Sequence, residues 1–247
     1  NQNKNTLKIL RQSISGKNIP CFLYGRDFYA VKEFVDWRNS YQQFSFYQRN
    51  SSIKKLCTQL IGKHQIENAA TAIQASLILK ESGFNVSRDD IKDGISNAYW
   101  PGRFEYRNVT ICGRKIKIIF DGAHNPDGIK SLKSTLLESK YSQGRKKFNF
   151  VFSVMKEKNY GEMIKIISPL INKIFLYRIK NKRALSINNL RKVLIRYVNP
   201  GDIVSVKSIK NILNKAEKDI LLVITGSIYL VGEFLKSPTP FTKGGNH

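Results

Sequence analysis

Apolar positions follow two regimes along the chain. Past residue 100, runs rich in Ile, Val, Leu and Phe at 116–120, 148–154, 174–179, 203–206 and 221–225 alternate with stretches of helical spacing near 127–140, 160–170, 186–197 and 209–218. Continuous apolar strands are buried on both faces. Strands that alternate with helices build right-handed βαβ units, so an α/β domain with a parallel sheet covered on both faces is predicted. The first hundred residues are mixed. Residues 21–24 followed by Gly25 predict a short strand and turn, and the aromatic-dotted stretch 37–52 predicts a hairpin. Ile66, Ala69, Ala70, Ile73, Leu77 and Leu79 recur at helical spacing ahead of Gly83, a capping glycine. Ser87 with Asp90 three residues on predicts a capping box and a second helix running to about Ala98. Trp100-Pro101-Gly102 breaks the pattern and divides the chain into domains 1–99 and 100–247, and the Pro- and Gly-containing tail after Lys236 is expected to fray.

Composition narrows the class. Hydrophobic residues make up 41% and aromatics 11% of the 247 residues, an ordinary globular balance, and the longest aliphatic run, 220–224, is too short to cross a bilayer. The 42 Lys and Arg against 18 Asp and Glu give +24, which invites a nucleic-acid reading. Residues 1–98 carry +6 (14 basic, 8 acidic) and residues 99–247 carry +18 (28 basic, 10 acidic). The excess is concentrated in the second part but tied to no motif: no helix is exclusively basic and aromatics are not interleaved with the cations, so nucleic acid is not the expected partner. Cys21, Cys57 and Cys112 are odd in number and widely spaced, and His64, His124 and His247 are the only histidines. Neither set reads as a disulfide framework or a metal centre. With no secretory hydrophobic region at its start, the chain is expected in the cytoplasm with reduced thiols.

In an open parallel sheet, ligands bind beyond the carboxyl ends of the strands. Three segments stand there. Asp121-Gly122-Ala123-His124-Asn125-Pro126 follows the first strand, and a helix start explains Asn125 as cap and Pro126 as first residue but leaves Asp121 and His124 over. Met155-Lys156-Glu157-Lys158-Asn159 brings ammonium groups to the same edge, and Thr225-Gly226-Ser227 offers a close backbone approach with a hydroxyl at a helix start. Each alone has a bland explanation as a surface histidine, a solvated lysine or a plain cap. Their convergence points to a site that handles carboxylate or phosphate.

Taken in order, the segments 60–70 (Leu-Ile-Gly-Lys-His-Gln-Ile-Glu-Asn-Ala-Ala), Trp100-Pro101-Gly102-Arg103-Phe104-Glu105, 120–128 (Phe-Asp-Gly-Ala-His-Asn-Pro-Asp-Gly), 155–158 and Thr225-Gly226-Ser227-Ile228-Tyr229 resemble folylpolyglutamate synthase and dihydrofolate synthase, of the Mur ligase superfamily. The resemblance runs from about Tyr24 to Glu233. It implies a complete α/β C-terminal glutamate-ligase domain with a Rossmann-like, mostly parallel sheet, preceded by the C-terminal remnant of a Mur-ligase-type ATPase domain. It further implies ATP contacts at Asn68, Arg103 and Asp121, with His124, Lys158 and Ser227 serving the incoming glutamate and the ligation step. The implied reaction joins L-glutamate to folate or dihydropteroate through an acyl phosphate, by a monomeric enzyme. The chain departs from the family in lacking the Gly-x-x-x-x-Gly-Lys-Ser/Thr phosphate loop: Gly16-Lys17 is followed by Asn18 and Gly62-Lys63 by His64. The resemblance therefore places the Mg2+ ligands outside these residues, assigns none here, and leads to the expectation that this chain alone is inactive and begins at Asn1 by truncation. Glu157 and Asn159 stand where the family often carries aspartates. The basic loop 180–183 is a candidate for adding positive potential toward a polyanionic folate tail, against the simpler reading of a solvated loop. Two alternatives follow the ligase reading: a Mur-type cell-wall ligase fragment, disfavoured by His64-Gln65, and a non-catalytic basic binding module.

Overall fold

The structure, a computed structural model, describes residues 4–17, 19–111, 114–142, 147–215, 221–237 and 241–243. Cys112, His247, Pro238, Pro240, Gly244 and Gly245 lie outside the described residues. The chain divides into two compact units, one of Asn1–Phe34, Gln42–Thr58 and Lys63–Ala98, the other of Val35–Tyr41, Gln59–Gly62 and Tyr99–His247.

The first unit begins with α1 (Lys4–Ile14) and continues into β1 (Phe28–Asp36), β2 (Tyr41–Gln48) and β3 (Ser51–Thr58), a three-stranded sheet in that order. Strands β2 and β3 pair antiparallel across a two-residue turn, so the predicted hairpin exists, shifted four residues toward the C-terminus at its start. One face of the sheet buries Phe28, Phe44, Phe46, Ile53 and Leu56 against α2 (Lys63–Glu81) and α3 (Arg88–Asn97). The α2 helix ends as its glycine predicts. Gly83 takes φ +94°, its amide reaches the Lys80 carbonyl and the Phe84 amide reaches Leu79, which satisfies two otherwise orphaned carbonyls. The Ser87 and Asp90 capping box is formed in both directions.

The second unit is the predicted α/β domain. Strands β4 (Glu105–Ile111) and β5 (Arg114–Phe120) are followed by α4 (Pro126–Glu138), β6 (Phe148–Phe152), α5 (Tyr160–Ile167), β7 (Ile171–Tyr177), α6 (Ile187–Leu194), β8 (Ile203–Val206), α7 (Ile209–Lys215), β9 (Leu221–Thr225), α8 (Ile228–Leu235) and β10 (Phe241–Lys243). The sheet order is β10-β4-β5-β9-β6-β7-β8. Strands β5 to β9 are parallel, and β4 and β10 close one edge antiparallel. One core packs Leu132, Leu136, Met163 and Leu190 of α4, α5 and α6 on one sheet face, and a second packs Ile212, Leu230 and Phe234 of α7 and α8 on the other.

Two expectations need correcting. The tail after Lys236 is not simply frayed, because Phe241, Thr242 and Lys243 pair with Val109, Asn108 and Arg107. The third parallel strand begins at Ile171, three residues ahead of the apolar run from 174, because the polar pair Asn172 and Lys173 interrupts the apolar pattern while the backbone is already extended. Among the described residues no helix is long and apolar enough to cross a membrane.

The strand order creates the site. The chain steps outward through β5, β6, β7 and β8 and then returns to insert β9 between β5 and β6. At such a reversal the loops beyond neighbouring strands diverge to opposite faces and leave a crevice at their carboxyl ends. The loops leaving β5, β6 and β9 are the three that the sequence singles out.

Candidate active site

Asp121 directly follows β5 and is 6% exposed. Its Oδ2 accepts the Phe104 amide at 3.1 Å and its Oδ1 the Ala123 amide at 2.9 Å, while its own amide donates to the Ile224 carbonyl at 3.0 Å. The next residue, Gly122, donates its amide to the Gly102 carbonyl at 2.7 Å. Arg103 is thus held at the tip of a turn whose two flanking residues are both bonded to the Asp121 loop. Gly102 and Phe104 adopt φ +72° and +48°. For a phenylalanine this left-handed backbone is unfavourable by about 1 kcal/mol, and the Asp121 bond to its amide helps hold it there. Burial raises the Asp121 carboxyl from 3.8 to about 6, against the lowering pull of the two amides and of Arg103. The carboxylate therefore has a structural task, with one lone pair on each oxygen left for a ligand.

Arg103 opens into a cavity of about 240 Å³ lined also by Asn39, Ser40, Gln59, Trp100 and Phe104. Asp36 holds the lining residue Asn39 in place: its Oδ1 accepts the Arg38 and Asn39 amides at 2.8 and 3.0 Å, and its Oδ2 accepts Asn39 Nδ2 at 2.8 Å. On the other side Glu105 accepts the Gly102 amide at 2.9 Å, the Tyr99 hydroxyl at 2.8 Å and Arg107 Nη2 at 2.6 Å, so its charge is already paired. The cavity presents the Arg103 guanidinium with amide side chains and aromatic walls, a set suited to an anionic, partly planar ligand. Asn39 and Gln59 escaped the sequence reading because they lie in loops with no periodic signal and no motif.

His124 is half-buried, with Nδ1 at 2.9 Å from the Gly122 carbonyl. A carbonyl only accepts, so the proton of the neutral ring sits on Nδ1 and the Nε2 lone pair is available. Asn125 and Pro126 start α4 as expected: Asn125 Oδ1 accepts the Gly128 amide at 2.7 Å. Asn125→Ala is expected to lower the unfolding free energy of the chain by about 1 kcal/mol, read by urea denaturation, and an unchanged urea midpoint would rule out this cap.

Beyond β6, Lys158 is half-buried in a turn closed by its own amide on the Met155 carbonyl at 3.2 Å. Arg183 pairs with Glu157, so one of the three cations of the 180–183 loop is engaged within the protein. Beyond β9, Ser227 is 2% exposed and its Oγ accepts the Tyr229 amide at 3.2 Å, which caps α8 and leaves the hydroxyl proton to donate. Gly226 donates its amide to the Ala123 carbonyl at 3.0 Å, tying the β9 loop to the β5 loop. Asp121, His124, Lys158, Ser227 and Arg103 all belong to the second unit. Asn68 stands in the first, on α2, where its Nδ2 donates to Gln65 Oε1 at 3.2 Å.

The dihydrofolate synthetase C-terminal-domain family model matches residues 103–237. The chain belongs to this family. The match begins at Arg103 and takes in the Asp121, Lys158 and Ser227 loops, so the three loops beyond β5, β6 and β9 lie wholly within the family domain. The dihydrofolate synthase/folylpolyglutamate synthase of Bacillus subtilis is 30% identical over 201 residues, which is 79% of this chain and 44% of that protein. Mycobacterium tuberculosis folylpolyglutamate synthase complexed with ADP shares the fold with TM-score 0.81 at 17% identity, covering 97% of this chain and 55% of that one. Escherichia coli FolC in complex with DHPP and ADP does so with TM-score 0.72 at 21% identity, covering 94% of this chain and 50% of that one. The chain therefore spans about half the length of these relatives.

Proposed function

We propose that this family member is the C-terminal part of an ATP-dependent ligase that joins L-glutamate to folate or dihydropteroate. The reading is supported by the placement of Asp121, His124, Lys158 and Ser227 in the loops that follow β5, β6 and β9, three neighbouring strands at the reversal of strand order. The relatives' names favour a folate substrate over a cell-wall precursor. In this reaction a free carboxylate oxygen of the dihydropteroate, or of the folate's glutamyl tail, attacks the γ-phosphorus of ATP and ADP leaves. The glutamate nitrogen then attacks the acyl carbon, inorganic phosphate departs, and the nitrogen sheds a proton. ATP supplies the phosphoryl group that turns a poor leaving oxygen into a good one. The chain's own residues bind and orient. Arg103 holds anionic phosphate oxygens from the cavity side, and Asp121 offers acceptors to the nucleoside. The Lys158 ammonium and the Ser227 hydroxyl meet the glutamate carboxylates, and the His124 Nε2 lone pair receives the proton from the amine.

Among the described residues no three His, Cys, Asp or Glu side chains gather to hold a metal ion. Mg2+ is part of this proposal for the longer enzyme, with no ligand named among the residues of this chain. No Gly-x-x-x-x-Gly-Lys-Ser/Thr occurs in its 247 residues, so ligation is proposed to need polypeptide that supplies a phosphate loop. The cytoplasm and a monomeric state belong to the same proposal.

The test is ligation by the longer enzyme with ATP, Mg2+, labelled glutamate and either dihydropteroate or a reduced folate. Glutamylated product and ADP are expected in equal amounts. Arg103→Ala is expected to raise the KM for ATP about tenfold or more, since a charged hydrogen bond is lost, and to leave the KM for glutamate in place. Product without glutamate, or an unaltered ATP dependence in that variant, overturns the assignment.

A further inference from the structure

We propose that Glu233 is a positioning residue that holds the Lys158 loop in register with the Ser227 cap, and so sets affinity for the incoming amino acid. The inference rests on the ligase reading only for the identity of that ligand. Glu233 lies on α8, the helix that Ser227 starts. Its Oε2 accepts the Tyr177 hydroxyl at 2.8 Å and its Oε1 the Lys180 amide at 2.6 Å. One carboxylate thereby grips both the end of β7 and the loop that leaves it.

That loop is internally tied. The Asn181 amide reaches the Ile179 carbonyl at 2.8 Å, the Ala184 amide the Asn181 carbonyl at 3.0 Å, and the Arg183 amide Asn181 Oδ1 at 2.9 Å. Its far end then pairs with the segment carrying Lys158. The Lys156 amide donates to the Arg183 carbonyl and the Leu185 amide to the Val154 carbonyl, both at 2.9 Å, on either side of an antiparallel bridge between Met155 and Ala184. The Arg183 and Glu157 ion pair adds a side-chain tie next to Lys158 itself. A continuous path of hydrogen bonds thus runs from α8 through residues 177–185 to the Lys158 turn. The same helix carries Ser227 at its other end, so displacement of Glu233 alters the spacing between the two groups that would meet one amino acid. Nothing in the pattern of apolar residues marks Glu233, because its partners lie 56 and 53 residues away in sequence.

Glu233→Ala removes both acceptors. Glu233→Gln keeps an oxygen for the Lys180 amide and is the rescue variant. In this chain, labelled with nitrogen-15, amide exchange at Lys156 and Leu185 is expected to quicken about tenfold in Glu233→Ala and less in Glu233→Gln. L-glutamate binding, read from chemical shifts at Lys158 and Ser227, is expected to weaken about tenfold in the alanine variant, with the glutamine variant between it and wild type. In the longer enzyme the KM for glutamate rises while the KM for ATP holds. Unchanged exchange at Lys156 and Leu185 in folded Glu233→Ala overturns the positioning role, as does equal glutamate affinity in all three proteins. Should wild type ignore glutamate while the exchange effect stands, the ligand is wrong and the mechanical link survives.

Discussion

Gly226→Ala is expected to unfold a large part of the population or to lower the unfolding free energy by about 3 kcal/mol or more, because two penalties coincide there. Gly226 sits at φ +100°, where an L-residue is strained by about 1 kcal/mol. A Cβ would also lie 2.4 Å from the Ser153 carbonyl oxygen and 2.8 Å from Phe152 Cε2. Neither neighbour can yield cheaply. Ser153 continues the β6 strand that pairs with β9, and Phe152 is fully buried in the core. Such overpacking against backbone typically costs about 1–3 kcal/mol on top of the strain. The opposing gain, a less flexible unfolded chain, amounts to about 0.4–1 kcal/mol and does not reverse the sign. The control lies six residues on. Gly232 is inside α8, and a Cβ there meets no heavy atom within 4 Å. Gly232→Ala is expected to raise stability by up to about 1 kcal/mol through helix propensity alone. Urea midpoints of the two variants should move in opposite directions, and a Gly226→Ala midpoint at or above wild type would refute the close approach of the β6 and β9 ends that shapes the crevice.

The contrast between Gly226 and Glu233 shows what the sequence made legible. Strand β9 announces itself because burial on both faces demands an unbroken apolar run, and β5, β6 and β8 are rich enough in Ile, Val and Phe to show despite the interruptions at Lys117, Asn149 and Ser205. Strand β4 does not. Its residues Glu105-Tyr106-Arg107-Asn108-Val109 lie mostly half-buried near the sheet edge, and only Val109 is deeply covered. Strand β1 likewise mixes Lys32, Glu33 and Asp36 among exposed apolar residues and looks like loop in one dimension. Local chemistry was readable wherever the partners are a few residues apart, as with Ser87 and Asp90 or Asn125 and Gly128. The loops of Asp121, Lys158 and Ser227 could be placed at one edge because strand direction alone puts every βα loop there. Which of those loops are neighbours could not. That follows from β9 inserting between β5 and β6, a long-range choice made by tertiary packing. The structural task of Asp121 was hidden for the same reason, since Phe104 is 17 residues away and its positive φ has no signature in a phenylalanine.

That task has a pH dependence opposite to the usual carboxylate. Most of the perturbed acids here, among them Asp36, Asp90 and Glu157, are held below their ordinary range by hydrogen bonds and add stability as pH climbs through it. Asp121 is shifted upward, from 3.8 to about 6, chiefly by burial. Between those two values the unfolded chain has released the proton while the folded chain still holds it, so stability falls as pH rises. The full difference corresponds to about 3 kcal/mol, complete once pH exceeds the folded value. Replacing Asp121 with asparagine abolishes the titration while keeping one carbonyl oxygen for one of the two amides. Below pH 4, wild type should be the more stable, because its neutral carboxyl can serve both loops without a buried charge. As pH rises through 6, that advantage over Asp121→Asn should shrink by about 3 kcal/mol and then level off. Urea unfolding of both proteins from pH 4 to pH 8 measures the difference directly, with the other titrating groups cancelling between them. A constant difference across that range would mean that Asp121 is ionised at its ordinary pH, with solvent reaching the carboxylate. The Phe104 turn that presents Arg103 would then have to be held by something other than a buried clamp.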